Sequence, residues 1–174
     1  MSDVAARAAP VSLPLHVTFI CSGNICRSPM AEKMFAHELD ERGLSGAVRV
    51  TSAGTGGWHA GDPADHRASQ VLNGHGYPTR HRAAQVDTDH LAADLIIAMG
   101  RNHVRMLRDL GAPPERVRML RSFDPRSGAH ALDVEDPYYG TTDDFEEVFT
   151  VIAASLPGLH GWVDDQLADR GVAS

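Results

Sequence analysis

The residues of this chain that are best suited to chemistry lie in one short segment, Cys21-Ser-Gly-Asn-Ile-Cys-Arg27. A cysteine thiolate is a strong nucleophile, and the planar guanidinium of an arginine binds two oxygens of a phosphate group at once. The loop between Cys21 and Arg27 is long enough to curl so that its backbone N–H groups point at a common centre and bind an anion. The segment predicts nucleophilic attack by Cys21 on a phosphate ester that Arg27 holds, with an anion site lined by Ser22, Gly23, Asn24, Ile25 and Cys26.

The flanking segments indicate how this loop is positioned. His16-Val-Thr-Phe-Ile20 is a β-branched and aromatic run typical of a buried strand. Ser28-Pro29 marks a helix start, and apolar residues follow it at helical spacing. A helix that begins there adds the positive end of its dipole to the anion site and stabilises a thiolate at Cys21. We expect Ser28 to donate a hydrogen bond to that sulfur and Asn24 to adopt a left-handed conformation.

Cleavage of a phosphate ester of tyrosine also needs a proton for the departing phenolate, and a carboxylic acid near the phosphate supplies it best. Asp136 is the favoured candidate, because Pro137 fixes the chain after it. Tyr138 and Tyr139 follow and offer aromatic walls for a phosphotyrosine ring. Three other carboxylates of the same part of the chain stay open as alternatives: Asp124, Asp133 and Glu135.

Strand and helix patterns alternate along the rest of the chain. Further strands are predicted over Val48–Gly54, Leu95–Met99 and Val117–Leu120. Helices are predicted over Asp65–His75, Asn102–Leu110 and Phe145–Leu167, and Pro157 is expected to kink or divide the last one. This alternation predicts an α/β fold with a doubly wound parallel sheet. Ligands of such sheets bind beyond the carboxyl ends of the strands, which is where Cys21 lies.

The composition fits one globular domain. The chain has 174 residues, of which 43% are hydrophobic and 22% charged, and a formal net charge of −7 that disfavours nucleic acid as a partner. No apolar run approaches the roughly 20 residues of a membrane span. Cys21 and Cys26 are the only cysteines and the histidines form no zinc motif, so we expect no metal site. We predict a flexible tail over 1–14 without a secretory signal, one domain over 15–170 and a second tail over 171–174.

Two segments of the chain resemble the low-molecular-weight protein tyrosine phosphatases: Val17-Thr-Phe-Ile-Cys-Ser-Gly-Asn-Ile-Cys-Arg-Ser-Pro29 and Asp136-Pro-Tyr-Tyr139. The resemblance extends from His16 to about Arg170. It is especially close to the actinobacterial protein tyrosine phosphatase A type, through RVTSAGTGGWHAG, LRSFDPRSG and HALDVEDPYYG. It implies a three-layer, single-domain fold with a four-stranded parallel sheet flanked by helices. It also implies hydrolysis of phosphotyrosine through a cysteinyl-phosphate intermediate, without a metal or cofactor.

The resemblance also implies a role for each site residue. Cys21 would be the nucleophile, Arg27 the ligand of the transition state, and Asp136 the acid and then the base for the attacking water. The hydrogen-bond network that shapes the loop would consist of Asn24, Ser28, Ser52 and His81. The entrance of the substrate pocket would be formed by Trp58, His59, Tyr138 and Tyr139. Cys26 matches a second cysteine that forms a reversible disulfide with the nucleophile and protects it from irreversible oxidation.

The partners that the resemblance implies are phosphotyrosine proteins as substrates and a companion tyrosine kinase that modifies Tyr138 and Tyr139. We expect a cytoplasmic monomer, although some actinobacterial relatives act outside the bacterium without a signal peptide. One position departs from the family pattern, because many relatives have Asp where Gly100 stands. That Asp would cap a helix or support the neighbouring loop, and Gly also caps acceptably.

Three alternatives use the same fold or the same ligand. Thioredoxin-coupled arsenate reductases need further cysteines downstream, and this chain has none after Cys26. Protein-arginine phosphatases typically carry Thr where Ile25 stands, and the larger apolar side chain suits an aryl substrate. A non-catalytic phosphotyrosine-binding module would be expected to lack the nucleophile or the acid, and both Cys21 and Asp136 are present.

Overall fold

The computed structural model describes residues 13–128 and 132–171, and these contain a parallel sheet of four strands in the order β2-β1-β3-β4. The strands are β1 (Leu15–Cys21), β2 (Val48–Gly54), β3 (Leu95–Ala98) and β4 (Val117–Met119). The helices are α1 (Arg27–Glu41), α2 (His66–Gly74), α3 (Thr88–Leu91), α4 (Arg101–Asp109) and α5 (Thr142–Asp169). Two short 3₁₀ helices cover Pro114–Arg116 and Leu120–Phe123.

The two central strands explain the apolar runs in the sequence. Every residue of β1 and of β3 is buried, because helices cover both faces of the sheet. Val17 and Phe19 pack on one face with residues of α1, α2 and α5. Ile20 and Ile96 pack on the other face with Leu107 of α4. The predicted three-layer α/β fold with a four-stranded parallel sheet is confirmed.

The register of the strands brings their carboxyl ends to one edge of the sheet. Cys21 pairs with Gly54 at the end of β2, and Ile20 pairs with Ala98 at the end of β3. A β-carbon on Gly54 would lie 2.6 Å from the carbonyl oxygen of Ser22, so only glycine lets the loop after β1 pass this close to β2. The loop that starts at Cys21 therefore lies at the edge where ligands of parallel sheets bind.

The last helix differs from the prediction. α5 runs without interruption from Thr142 to Asp169 and includes Pro157, so of the two expected effects of this residue, a kink or a division, the division is wrong. Tertiary packing offsets the backbone hydrogen bond that proline removes, because the apolar side of α5 is buried along the whole helix. Gly158 contributes to this packing: a β-carbon there would lie 2.1 Å from the carbonyl oxygen of Phe123.

The predicted domain boundaries stay a prediction. Of the expected tails, residues 1–12 and 172–174 lie outside the described residues. Within residues 13–128 and 132–171, no helix is both long enough and apolar enough to span a bilayer.

Candidate active site

The loop after β1 is built around a left-handed residue at its centre. Asn24 has a φ of 59°, a conformation that asparagine tolerates better than most residues. Helix α1 begins at Arg27, one residue before the predicted start at Ser28-Pro29, so Ser28 lies in the first helical turn. The hydroxyl of Ser28 does not cap the backbone of α1. It contacts the sulfur of Cys21 instead.

Cys21 lies at the bottom of the loop with its sulfur beside a hydroxyl. The distance from Cys21 Sγ to Ser28 Oγ is 2.9 Å, and both side chains are buried. Asn24 Nδ2 donates to Ser28 Oγ at 2.8 Å, so this oxygen already accepts a hydrogen bond. Its own proton is then free to be donated to the sulfur. The hydroxyl of Ser28 is thus placed to donate a hydrogen bond to the attacking atom.

A buried network holds the loop from below. Asn24 Nδ2 also donates to Ser52 Oγ at 2.9 Å, and Asn24 Oδ1 accepts from the backbone of Ala84 at 2.9 Å. His81 Nε2 donates to the carbonyl oxygen of Asn24 at 2.8 Å, and burial holds the pKa of His81 below its ordinary value. Ser52 in turn donates to a carboxylate oxygen of Glu32. The side chain of Asn24 thus has all its polar atoms satisfied and fixes the backbone around it.

Arg27 is buried, and its guanidinium connects the phosphate loop to the segment 132–140, which we call the acid loop. Nη1 donates to the carbonyl oxygen of Val134 at 3.1 Å, and Nη2 lies 3.4 Å from a carboxylate oxygen of Asp136. The acid of the sequence prediction therefore lies next to the predicted phosphate ligand. The two residues are 109 positions apart in the chain, and the fold brings them to the same pocket.

His103 is a site residue that the sequence prediction missed. It is fully buried, and its Nε2 shares a hydrogen bond of 2.9 Å with Ser22 Oγ. Arg27 Nη2 donates to the same Ser22 oxygen at 3.5 Å. Burial, together with the nearby charge of Arg27, lowers the pKa of His103 to about 4, so the imidazole is neutral at physiological pH. Among the described residues, no atom forms a hydrogen bond with its Nδ1.

Arg67 of α2, also absent from the prediction, holds the acid loop through its backbone. Nη1 donates to the carbonyl oxygen of Gly140 at 2.7 Å, and Nη2 donates to that of Tyr138 at 2.8 Å. The same guanidinium forms hydrogen bonds with the carboxylate of Asp65 and stacks on Phe145 at 4.5 Å from the ring centroid. Asp136 itself accepts from the backbone of Tyr138 at 3.1 Å.

The alternative acids face other partners. Asp124 binds the backbone N–H of Arg126, and Asp133 binds that of Arg101 at 2.8 Å. The latter contact binds the first backbone N–H of α4, whose N-cap Gly100 provides no side-chain cap. Glu135 lines a neighbouring cavity of about 530 Å³ and not the pocket of Cys21.

The pocket above Cys21 has a volume of about 230 Å³ and aromatic walls. Trp58 is 74% exposed and Tyr139 is 95% exposed, so both are rim residues, and a core position for Trp58 is ruled out. His59 and Tyr138 face each other with ring centroids 6.2 Å apart. The structure brings all the predicted catalytic and substrate-binding residues to this pocket except Asn24 and Ser28, which lie beneath the loop with Ser52 and His81. Among residues 13–128 and 132–171, no three acidic, His or Cys side chains cluster as metal ligands.

Comparisons with known proteins identify the family of this chain. The family model described as low molecular weight phosphotyrosine protein phosphatase matches residues 16–170. The chain is 71% identical over 161 residues to the low molecular weight protein-tyrosine phosphatase A of Mycobacterium tuberculosis, with 92% of this chain and 99% of the relative covered. It is 38% identical to the human low molecular weight phosphotyrosine protein phosphatase over 76% of this chain and 85% of the relative. The crystal structure of YfkJ from Bacillus subtilis is similar with a TM-score of 0.83 and 34% identity, and covers 90% of this chain and 99% of its own.

Proposed function

This chain belongs to the low molecular weight phosphotyrosine protein phosphatase family, and we propose that it hydrolyses phosphotyrosine with Cys21, Arg27 and Asp136. The observation that carries the proposal is the convergence of these three side chains in one pocket. The nucleophile lies at its floor, the guanidinium beside it, and the carboxylate 3.4 Å from the guanidinium. A phosphate that binds Arg27 would therefore lie between the sulfur that attacks it and the acid that protonates the leaving oxygen.

In the first step, the thiolate of Cys21 attacks phosphorus and the bond from phosphorus to the tyrosine oxygen breaks. Protonated Asp136 gives its proton to the departing phenolate, so tyrosine leaves neutral. The backbone N–H groups of the loop and Arg27 stabilise the charge on the phosphoryl oxygens. The product of this step is a cysteinyl phosphate.

In the second step, water attacks the cysteinyl phosphate, and inorganic phosphate leaves. The carboxylate of Asp136 takes the proton of the attacking water and regains its acid form. Cys21 leaves as a thiolate, which the hydroxyl of Ser28 stabilises from 2.9 Å. The two steps together convert phosphotyrosine and water into tyrosine and phosphate.

Cys26 has a different role in this proposal. Burial raises the pKa of its thiol far above the ordinary range, so Cys26 is a neutral thiol and does not compete with Cys21 as a nucleophile. Both cysteines are unpaired in the structure. We assign Cys26 the protective role: after a peroxide has oxidised Cys21 to a sulfenic acid, the thiol of Cys26 condenses with it, water leaves, and a reversible disulfide forms.

The substrates in this proposal are phosphotyrosine proteins, and the enzyme acts as a cytoplasmic monomer. The exposed ring of Tyr139 and the partly exposed ring of Tyr138 are accessible to a companion tyrosine kinase. Mass spectrometry after incubation with a tyrosine kinase tests the last point, and an absence of phosphate on both residues would contradict it.

Turnover of a phosphotyrosine peptide by the wild type and three variants tests the chemistry. We expect Cys21→Ser to abolish turnover, and Asp136→Asn to lower kcat/KM by about 10²-fold or more. Glu135→Gln is the matched control, because it removes the neighbouring carboxylate, and we expect a change of less than about twofold. Acid quenching should trap phosphate on Cys21. Turnover by Cys21→Ser at the wild-type rate, or an equal kcat/KM for a phosphoarginine peptide, would refute the assignment.

A further inference from the structure

A groove between α4 and the edge strand β4 is lined by arginines and has no part in the chemistry described above. Arg101, Arg105 and Arg108 follow each other on one side of α4, and Arg118 of β4 faces them. The floor is apolar and consists of Val104, Val117 and Met119. The cavity has a volume of about 450 Å³. We call it the arginine groove.

Its charge is opposite to that of the whole protein. The chain has a formal net charge of −7, with 16 Lys and Arg and 23 Asp and Glu. Seven of those basic residues, but only three of the acidic ones, lie between Arg101 and Arg126. All four arginines of the groove are exposed. A local excess of arginine on an acidic protein attracts anionic groups to this one place.

Most of these arginines have no carboxylate to neutralise them. Elsewhere in the protein, Arg42, Arg49 and Arg67 each form an ion pair of 3.0 Å or less. Among the described residues, no carboxylate lies within 4.0 Å of the guanidinium of Arg105, Arg108 or Arg118. Like charges four residues apart destabilise a helix slightly, so the repulsion between Arg101 and Arg105 does not stabilise α4. Arg118 is held in place by stacking on Phe123, at 4.1 Å from the ring centroid.

The amino-terminal end of the groove is connected to the active site through the acid loop. The backbone N–H of Arg101 binds Asp133 of the acid loop, and the next residue, Val134, accepts a hydrogen bond from Arg27. From Arg101 the row runs down α4 to Arg108, a distance of about 10 Å at about 1.5 Å per residue. An extended peptide covers that distance with about three residues. An extended segment of a few residues is therefore long enough to contact all three arginines of α4.

We propose that the arginine groove docks an acidic segment of the protein substrate whose phosphotyrosine occupies the pocket. This proposal rests on the proposed function and names the substrate class. Carboxylates of Asp and Glu complement the unpaired guanidinium groups. The concave shape and apolar floor suit an extended peptide better than a flat bilayer. Single-stranded nucleic acid needs exposed aromatic rings for stacking, and here Arg118 covers the ring of Phe123.

Phosphotyrosine peptides of equal length provide the test. Two peptides each carry three Glu residues about four to seven positions from the phosphotyrosine, one peptide on the amino side and the other on the carboxyl side. The reference peptides carry Gln at the same positions. We expect the wild type to prefer one of the two Glu peptides by about tenfold in kcat/KM over the reference. The preference should disappear in about 0.5 M salt, because the contacts are exposed.

Charge reversal locates the effect on the surface. In Arg105→Glu/Arg108→Glu, we expect the preference for the Glu peptide to be lost or reversed, while kcat/KM for p-nitrophenyl phosphate changes by less than about twofold. Arg80→Glu/Arg82→Glu is the matched control, because it changes the net charge equally with two exposed arginines of another surface. We expect it to keep the preference.

The other possible outcomes overturn either the docking surface or the proposed function. An equal loss of preference in both double variants would show long-range attraction by net charge and overturn the docking surface. Equal kcat/KM for all peptides in the wild type would overturn it too. It would also be overturned if Arg105→Glu/Arg108→Glu lost binding to anionic vesicles or to an oligonucleotide but kept the peptide preference. Inactivity of the wild type towards p-nitrophenyl phosphate would instead refute the proposed function, so the two failures are distinguishable.

Discussion

The phosphate loop and the acid loop meet at Arg27 but are held in different ways. The phosphate loop, residues 21–28, is fixed by buried side chains. The side chain of Asn24 binds Ser28 within the loop and links the loop to Ser52 and Ala84. The acid loop is held mainly through its backbone carbonyl groups, by Arg27 and by Arg67 of α2. The side chain of Asp136 is 52% exposed. The phosphate loop is therefore part of the core, whereas the acid loop is attached to the surface of the core by hydrogen bonds.

This difference predicts two classes of effect on the rate. The phosphate loop binds oxygens that every phosphate ester has, so damage to it should lower kcat/KM equally for all substrates. The acid loop supplies a proton that matters only when the leaving oxygen is basic. Damage to it should lower kcat/KM for phenyl phosphate more than for p-nitrophenyl phosphate. The ratio of these two rates therefore distinguishes the two halves.

The largest effect is expected from Arg27→Lys. Lysine keeps the charge but cannot donate two parallel hydrogen bonds to phosphate, nor reach Val134 and Asp136 with one rigid group. We expect kcat/KM to fall about 10³-fold with p-nitrophenyl phosphate. Because Arg27 contacts both loops, phenyl phosphate should lose somewhat more. A loss of less than tenfold with both esters would show that positive charge alone is sufficient.

The second prediction concerns Asn24 and separates its backbone from its side chain. Asn24→Ala loses the hydrogen bonds to Ser28, Ser52 and Ala84 and places a poorly suited residue at a φ of 59°. We expect kcat/KM to fall about 10²-fold for both esters. Asn24→Gly keeps the left-handed conformation without the hydrogen bonds and should recover part of the loss. Equal rates for the two variants would assign the whole role to the side chain.

The phosphate loop could be predicted from the sequence because its determinants are local. The strand, the seven-residue segment and the helix follow each other in the chain. Asn24 lies in that segment, and Ser28 lies in the first turn of the helix. The helix start was predicted to within one residue, because Ser28-Pro29 is a strong signal for a helix start. In the structure, the contact of Ser28 with Cys21 takes precedence, and Arg27 begins the helix. Resemblance to a family supplied what local rules could not, namely Ser52 and His81.

Arg67 and His103 could not be predicted in this way, for two different reasons. Arg67 follows Asp65 at a helix start, which local rules interpret as capping, and its acceptors at Tyr138 and Gly140 are backbone oxygens without a sequence signal. His103 lies just after β3, at the sheet edge where the site forms. That topology is a weak signal, because it does not show which side of α4 faces Ser22.

Arg67→Met is the third prediction and tests the acid loop alone. Methionine fills similar space but donates no hydrogen bond to the two carbonyl groups. We expect kcat/KM for phenyl phosphate to fall about tenfold, and that for p-nitrophenyl phosphate about twofold. Arg67→Lys should give intermediate values. Equal losses with both esters would show that Arg67 also shapes the phosphate loop, and would contradict the division between the halves.

The smallest effect is a pH dependence of stability through His103, which supports Ser22 of the phosphate loop. Its pKa is about 4 in the folded protein and about 6.5 in the unfolded chain. Between these values the unfolded state binds a proton that the folded state does not bind, so stability that is present above pH 6.5 is lost as the pH falls towards 4. From pH 7 to pH 6, His103 should lower the free energy of unfolding by about 0.7 kcal/mol. Urea unfolding of His103→Gln should show a smaller pH dependence than the wild type, whereas the exposed control His66→Gln should match the wild type. Identical pH dependence in all three proteins would mean that His103 is protonated as easily in the folded state as in the unfolded chain. His103 would then not be the buried, neutral imidazole that supports Ser22.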